Sequence, residues 1–245
     1  MKKIAIFYHV YQYGGWKNIF AEQINRLQRS GLLDAADYVH IGITGPIPFS
    51  IKTDKNINVV RNRETTSEIP TLKALHKFCL ENDDYNVLYF HATGVTWTNP
   101  NNQDEIQYYT AKSLPFSVKQ INENKTRWRN YLEHFIIDNW KECNTILSMY
   151  DCVGTEWANR VILDNKFMYL PHYAGNFWWA SSDYIKKLDL DFIEKDSKLK
   201  YWMCEFWIGS GNPKYYNFYY SGKNLYINPI EESQYKGVDL LSSLM

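Results

Sequence analysis

A chain of 245 residues fits one large α/β domain and is long enough to bury a sheet between two layers of helices. Its 27 Lys and Arg residues balance 27 Asp and Glu residues. Because nucleic-acid binders usually carry a basic excess, this balance argues against nucleic acid as a partner.

The first half of the chain alternates short apolar runs with segments of helical periodicity. The N-terminal run ends at His9 and has no small-residue cleavage site, so it predicts a strand and not a signal peptide. Ser67 predicts a helix cap, with Pro70 in the first turn, where a missing N–H costs little. The predicted elements are strand Lys3–Val10, helix Trp16–Arg29, strand Asp37–Thr44, strand Asn58–Arg61, helix Ser67–Asn82 and strand Asn86–Phe90.

The second half begins with a polar, Asn-rich loop at Trp97–Gln103. After it we predict helix Lys125–Asn139, strands Met149–Glu156, Phe167–Leu170 and Asn176–Ala180, a helix from Ser181 to Leu188, helix Trp202–Ile208 and strand Asn224–Ile227. The alternation of strands and helices predicts a single α/β domain over residues 1–245, with a mostly parallel, open sheet and helices on both faces.

The cysteines and the hydropathy indicate where the protein resides. The four cysteines show neither a CxxC pair nor a histidine at metal-ligand spacing, so we expect buried thiols in a reducing compartment. No stretch approaches the ~20 apolar residues of a membrane span. The sequence therefore predicts a cytoplasmic protein without a transmembrane segment and leaves peripheral membrane contact open.

Common catalytic signatures are absent from the sequence. It contains no Walker loop, GxGxxG, GxSxG or HExxH motif, which argues against nucleotide-triphosphate hydrolysis, dinucleotide redox chemistry and zinc proteolysis. Open α/β sheets bind ligands beyond the carboxyl ends of their strands. That rule selects His9 and His91 as candidate ligand-binding residues, and His172, just before an aromatic segment, is a third.

Residues 171–180, Pro-His-Tyr-Ala-Gly-Asn-Phe-Trp-Trp-Ala, form that aromatic segment. Adjacent strand residues point to opposite faces, so we expect one of Trp178 and Trp179 in the core and the other in a cleft. Gly175 permits close approach of the backbone to a ligand. Asn176 offers donors and an acceptor to sugar hydroxyls. A core strand beside a tight turn would explain the same pattern, and both interpretations stay open.

A resemblance to a known family extends over three short motifs. Gly175–Ala180, the following Ser181–Ile185 and the stretch Tyr201–Ile208 together resemble small GT-A-type glycosyltransferases of surface-polysaccharide gene clusters. Upstream, Glu68–Leu72 and His91–Val95 resemble the segments around a His-x-x-Gly turn in related proteins. As an order of elements, the resemblance covers residues 1–230.

The resemblance implies a GT-A-like, Rossmann-like fold, with residues 1–95 as a nucleotide-binding half and 96–245 as an acceptor half with a C-terminal tail. It implies sugar transfer from a nucleotide-diphosphate donor, with a UDP-sugar favoured, to a hydroxyl of a glycan or lipid-linked glycan. Glu205 takes the place of the general base, which implies inversion, and Asp183 and Glu156 are next in line. A carbohydrate-binding protein without catalysis is the alternative.

The resemblance also assigns expected roles to the remaining candidate residues. Those expected to hold the nucleotide and its diphosphate are Tyr8, His9, Val10, Arg61, Arg63, Glu68, His91 and Thr93. Those expected to shape the sugar and acceptor pocket are His172, Asn176, Trp178 and Trp179.

The chain departs from the family at the metal motif. Where an Asp-x-Asp is expected, it carries His91-Ala92-Thr93. Asp83-Asp84 precedes the strand and Asp189-Leu190-Asp191 follows the aromatic segment, so neither replaces it. Hard cations prefer carboxylate oxygens. We therefore favour a metal-independent enzyme, leave Mn²⁺ or Mg²⁺ open and predict no other cofactor.

Overall fold

The computed structural model describes residues 2–48, 57–63, 65, 67–93, 118–163, 166–194, 200–225, 227–237 and 240. Gly94, Val95 and the predicted loop Trp97–Gln103 lie outside these residues.

The described strands form a large sheet and a separate hairpin. They are β1 (Lys3–Tyr11), β2 (Tyr38–Thr44), β3 (Asn58–Asn62), β4 (Tyr85–His91), β5 (Cys152–Gly154), β6 (Trp157–Leu163), β7 (Lys166–Tyr173), β8 (Trp178–Ser181) and β9 (Tyr215–Asn217). The seven-stranded sheet has the order β3-β2-β1-β4-β8-β5-β9, and β6 pairs with β7. Strands β1 to β4 are parallel, and β8 runs antiparallel between β4 and β5. The predicted α/β fold with a mostly parallel sheet is therefore confirmed.

Two predicted helices, Trp16–Arg29 and Ser67–Asn82, match the structure within two residues at each end, whereas the helix predicted from Lys125 begins at Val118. The short helices at Leu32–Ala35 and Trp140–Ile146 were not predicted. The helices are α1 (Trp16–Arg29), α2 (Leu32–Ala35), α3 (Ile69–Glu81), α4 (Val118–Glu133), α5 (Trp140–Ile146), α6 (Ser182–Ile185) and α7 (Lys200–Phe206). A π-helical turn, His134–Asp138, joins α4 to α5, and a 3-10 turn, Trp207–Gly209, follows α7. The Ser67 hydroxyl accepts from the Ile69 N–H at 3.2 Å, but the N-cap residue is Glu68, whose side chain makes no capping bond, so the predicted cap at Ser67 is wrong by one residue.

Strand β1 has an apolar layer on each side. Ile6, Tyr8 and Val10 belong to one core with α1 and α4, and Ala5 and Phe7 belong to the other with α3. Each of these side chains is fully buried. A strand covered on both faces cannot alternate apolar and polar residues, which is why β1 has a continuous apolar sequence.

Several predicted elements differ from the structure. Asn224 and Ile227 were predicted as the ends of a strand, but the Ile227 N–H donates to the Asn224 carbonyl at 3.0 Å, a bond typical of a turn. The predicted strand Met149–Glu156 shortens to β5, and β6 and β9 were not predicted. All four cysteines are free and buried, as predicted. In the described part of the chain, no helix has the length and apolar character needed to cross a bilayer.

Candidate active site

The carboxyl ends of β1 and β4 bring two predicted histidines side by side. His9 and His91 are register partners in these parallel strands, and the Ala92 N–H donates to the His9 carbonyl at 2.9 Å. Strand β8 runs antiparallel to β4, so the residues just before it arrive at the same sheet edge. Gly175 and Asn176 therefore lie beside His91, although they are far from it in sequence.

The turn before β8 depends on its glycine. Gly175 has φ +87° and Asn176 has φ +55°, both in the left-handed region. A Cβ on Gly175 would also lie 2.7 Å from Leu132 Cδ1. Glycine tolerates this conformation freely, and asparagine is enriched among the other residues that adopt it.

The Gly175 backbone joins Glu205 to His91. Its N–H donates to Glu205 Oε1 at 2.6 Å, and its carbonyl lies 2.9 Å from His91 Nε2. Because a carbonyl oxygen only accepts, this contact requires a proton on Nε2. Thr93 Oγ1 lies 2.9 Å from the same nitrogen.

Glu68 is the second carboxylate at this edge. Its Oε2 accepts from the Tyr89 hydroxyl at 2.6 Å and from Asn176 Nδ2 at 2.8 Å, and its Oε1 lies 3.8 Å from His91 Nδ1. Burial alone would raise the pKa of Glu68, but His91, His9 and the two hydrogen bonds together hold it below the usual value. Glu68 is therefore ionised at neutral pH. We call Glu68, His91 and Glu205 the carboxylate–histidine cluster.

Glu205 differs from Glu68 in the direction of its pKa shift. Burial raises the pKa of Glu205 to about 7, the negative charge of Glu68 adds to this, and the Gly175 N–H opposes it. The residue as a whole is half-buried. A carboxyl group with a pKa near neutral can both take and release a proton under physiological conditions.

The residues of this site lie within the part of the chain that matches a known protein family. A family model described as a domain of unknown function, DUF8361, matches residues 7–205. The chain belongs to this family. The matched region runs from β1 to Glu205 and so contains the whole cluster.

Other comparisons add little to the DUF8361 assignment. No curated protein matches the chain. Among solved structures, the bifunctional IspDF from Campylobacter jejuni matches with 10% identity and a TM-score of 0.39, over 91% of this chain and 50% of that one. The DUF8361 chain thus spans about half the length of that protein.

The aromatic segment of the DUF8361 chain is buried. Trp178 and Trp179 lie in the two cores on opposite faces of the sheet, as expected, but both are fully buried. The expectation that one of them faces a cleft is wrong, because both faces are covered. Asn176 is also buried, and its Oδ1 accepts from Trp178 Nε1 at 2.8 Å. Asn176 thus supports Glu68 from within and Trp178 supports Asn176, whereas Trp179 donates to the Ile136 carbonyl in the other core.

Several other predicted contacts are also internal. The Tyr8 hydroxyl donates to Gln23 Oε1 at 2.6 Å, and Val10 is fully buried. His9 Nδ1 lies 2.8 Å from Thr71 Oγ1, and burial lowers the pKa of His9 to about 4. His172 Nδ1 lies 2.7 Å from the Leu170 carbonyl. Their predicted contacts with a nucleotide or a sugar through these side chains are therefore wrong, because the core occupies them.

Four further candidates lie elsewhere. Arg61 is the last residue but one of β3 and Arg63 follows the strand, at the same sheet edge but separated from β1 by β2. Asp183 lies at the opposite edge, where it pairs with Lys2 at 3.2 Å, so its catalytic assignment is wrong. Glu156 is buried with φ +58° and accepts from the Tyr131 hydroxyl at 2.6 Å, which makes it structural.

Tyr89 and Thr71 contact predicted site residues, and the sequence did not indicate either of them. Tyr89 holds Glu68, and Thr71 holds His9. Both lie in segments whose apolar pattern indicates core, and nothing in that pattern marks a hydroxyl that binds a distant residue.

The cluster does not suit a hard cation. The described residues contain no group of three or more His, Cys, Asp or Glu side chains that could hold a metal ion. Glu68 Oε2 accepts two hydrogen bonds, and the contact with Gly175 places a proton on His91 Nε2. Hard cations need several free oxygen ligands. The donor set at this edge therefore does not fit the metal that the GT-A resemblance implies.

Proposed function

We propose that the protein is a GT-A-type glycosyltransferase that moves a sugar from a nucleotide-diphosphate donor to a hydroxyl of a glycan or glycolipid. The observation that carries the proposal is Glu205, a half-buried residue whose carboxyl pKa is raised to about 7 by burial, at the carboxyl edge of an α/β sheet. Ligands of such sheets bind at that edge.

The proposed step uses Glu205 as the base. The acceptor hydroxyl gives its proton to Glu205, and its oxygen bonds to the anomeric carbon. The bond from that carbon to the diphosphate breaks, and its electron pair leaves with the diphosphate. Attack opposite the leaving group inverts the anomeric centre. A positioned base of this kind is worth roughly 10²–10⁴ in rate.

His91 and Glu68 support the departure of the diphosphate. His91 Nδ1 lies 3.8 Å from Glu68 Oε1, and His91 Nε2–H donates to the Gly175 carbonyl, so the ring is held in place at this edge. Positioned hydrogen-bond donors stabilise negative charge that develops on a leaving group. Thr93, beside the imidazole, adds a hydroxyl donor. In this proposal His91 and Thr93 meet the diphosphate.

The test is nucleoside-diphosphate release from a panel of UDP-, GDP- and dTDP-sugars, with and without oligosaccharide acceptors. We expect turnover with a UDP-sugar. Glu205→Gln should lower kcat by about 10²-fold or more with nearly unchanged nucleotide affinity. Glu81→Gln makes the same chemical change at an exposed position of α3 and should retain kcat. A stable Glu205→Gln protein with full kcat would remove the base assignment.

Chelation distinguishes a metal-independent enzyme from one that requires Mn²⁺ or Mg²⁺. Because the donor set does not fit a hard cation, turnover should persist in excess EDTA. Loss on chelation that Mn²⁺ restores would mean that another carboxylate completes the site. Sugar binding without turnover of any donor would instead favour the alternative, a non-catalytic carbohydrate-binding protein.

A further inference from the structure

A groove of about 650 Å³ opens between the β6–β7 hairpin and β9. Three tyrosines line it: Tyr169 is 68% exposed, Tyr220 64% and Tyr215 40%. Within the described part of the chain, these are the aromatic side chains that are largely exposed. The chain is 17% aromatic, yet the largely exposed rings among the described residues all lie in this one groove.

Trp157, which is buried, organises the groove from below. Its ring stacks on Tyr215 with centroids 4.1 Å apart and an interplanar angle of 12°. Its indole N–H donates to Asn159 Oδ1 at 2.8 Å, and its main-chain N–H donates to Asn217 Oδ1 at 3.0 Å. Because the oxygen of each carboxamide accepts a hydrogen bond from Trp157, it is the NH₂ group of each that can donate to a ligand. One tryptophan thus positions one ring and two amide donors.

The hairpin is irregular at this point. The register of β6 with β7 shifts between Ala158 and Arg160, where the single residue Asn159 of β6 lies opposite two residues of β7, Leu170 and Pro171, which form a bulge. Bulges re-aim side chains and are frequent next to functional sites. Arg160, which is exposed, supplies the charge among the described lining residues.

We propose that this groove is an oligosaccharide-binding site, separate from the carboxylate–histidine cluster. The apolar faces of sugar rings pack on exposed tyrosines, and their hydroxyls accept from the Asn159 and Asn217 NH₂ groups. Single-stranded nucleic acid also stacks on aromatic rings, but its phosphates require a positively charged groove. One arginine is too little charge for that. The inference does not require Glu205 to be catalytic.

The test is binding of the full chain to hexasaccharides of the maltose, cellulose, chitin and polygalacturonate series, by saturation-transfer NMR and calorimetry. We expect saturable binding to at least one series. The double variant Tyr169→Ala, Tyr220→Ala should weaken it about tenfold or more, since two stacking contacts are lost. Leu80→Ala, which removes a side chain that is 58% exposed on α3, should not change it.

Thermal unfolding and nucleotide release are measured for each variant as controls. Equal melting temperatures would show that the double variant folds. Unchanged nucleotide release would separate this groove from the proposed active site. The proposal is overturned if no series binds saturably, if the double variant binds as well as the unmodified protein, or if the tyrosines prove to hold two copies together in sedimentation experiments.

Discussion

Glu205 shows how one residue acquires its chemistry from its surroundings. Burial and the charge of Glu68 both disfavour its ionised form, and one backbone N–H favours it. Glu68, only a short distance away, has the opposite shift because His91, His9, Tyr89 and Asn176 stabilise its charge. Two glutamates at one sheet edge therefore have pKa values shifted in opposite directions, a pattern found where two carboxyl groups divide acid–base roles.

The protonation of Glu205 should make stability depend on pH. Its pKa is about 7 in the folded protein against an ordinary value of 4.5. A raised pKa contributes stability fully below pH 4.5 and loses that contribution as pH rises through 7. Relative to Glu205→Gln, the unmodified protein should therefore lose on the order of 1–3 kcal/mol between pH 4.5 and 8. Urea unfolding of both proteins at several pH values measures this, and a constant difference would contradict it.

Asn176 affects stability through its side-chain hydrogen bonds and through its left-handed backbone conformation, and two substitutions separate these effects. Asn176→Ala removes the bonds to Glu68 and Trp178 and keeps a side chain at φ +55°. We expect a loss of about 3–5 kcal/mol, from unsatisfied buried groups and backbone strain. Asn176→Gly removes the same bonds without the strain, so it should be about 1 kcal/mol more stable than the alanine variant. Equal losses in chemical denaturation would show that strain at this position is negligible.

At the scale of elements, α3 and β2 approach each other at Gly42. A Cβ there would lie 2.0 Å from Thr71 Oγ1. The same helix begins directly after Glu68, and Thr71 holds His9. The close approach of this helix to the sheet therefore helps to position the cluster.

The variant Gly42→Ala tests that contact. We expect a loss of about 1–3 kcal/mol, typical of overpacking, together with displacement of the first turn of α3. Thr71→Ala removes the oxygen that the new methyl group would meet. In a double-mutant cycle, the two substitutions should therefore couple, with the double variant more stable than the sum of the single losses. Strict additivity would mean that the helix moves away freely.

At the scale of the whole molecule, stability should be highest in the middle of the large sheet. Strands β1 and β4 each have a partner on both sides and an apolar core above and below. The β6–β7 hairpin is a separate two-stranded sheet with Met168 and Tyr169 exposed. Hydrogen exchange follows such differences in burial and pairing.

Native-state exchange read by mass spectrometry should rank these regions. Peptides from Ile4–Tyr8 and Val87–Phe90 should exchange slowest, through global unfolding. Peptides from the β6–β7 hairpin should exchange earlier, through local opening. Equal protection of the hairpin and β1 would show that the hairpin unfolds only together with the sheet.

The sequence by itself determined the elements whose signals are local. The apolar runs of β1 and β4, the periodicity of α1 and the Ser67–Pro70 start of α3 predicted these elements within a few residues. The strand-end rule selected His9 and His91, which the fold places side by side. The aromatic segment indicated a close backbone approach at Gly175, and the family resemblance gave Glu205 a role; the structure joins the two by a hydrogen bond. The sugar-transfer chemistry assigned to them stays a prediction.

Only the tertiary structure decided which of the candidate side chains are accessible. Alternation correctly placed Trp178 and Trp179 on opposite faces, but covering layers bury both. The bond between Asn176 and Glu68 spans 108 residues, and no local pattern specifies such a pairing. The pKa of Glu205 likewise depends on burial and on Glu68, which are properties of packing. Secondary structure follows from nearest neighbours along the chain, whereas accessibility and charge follow from neighbours in space.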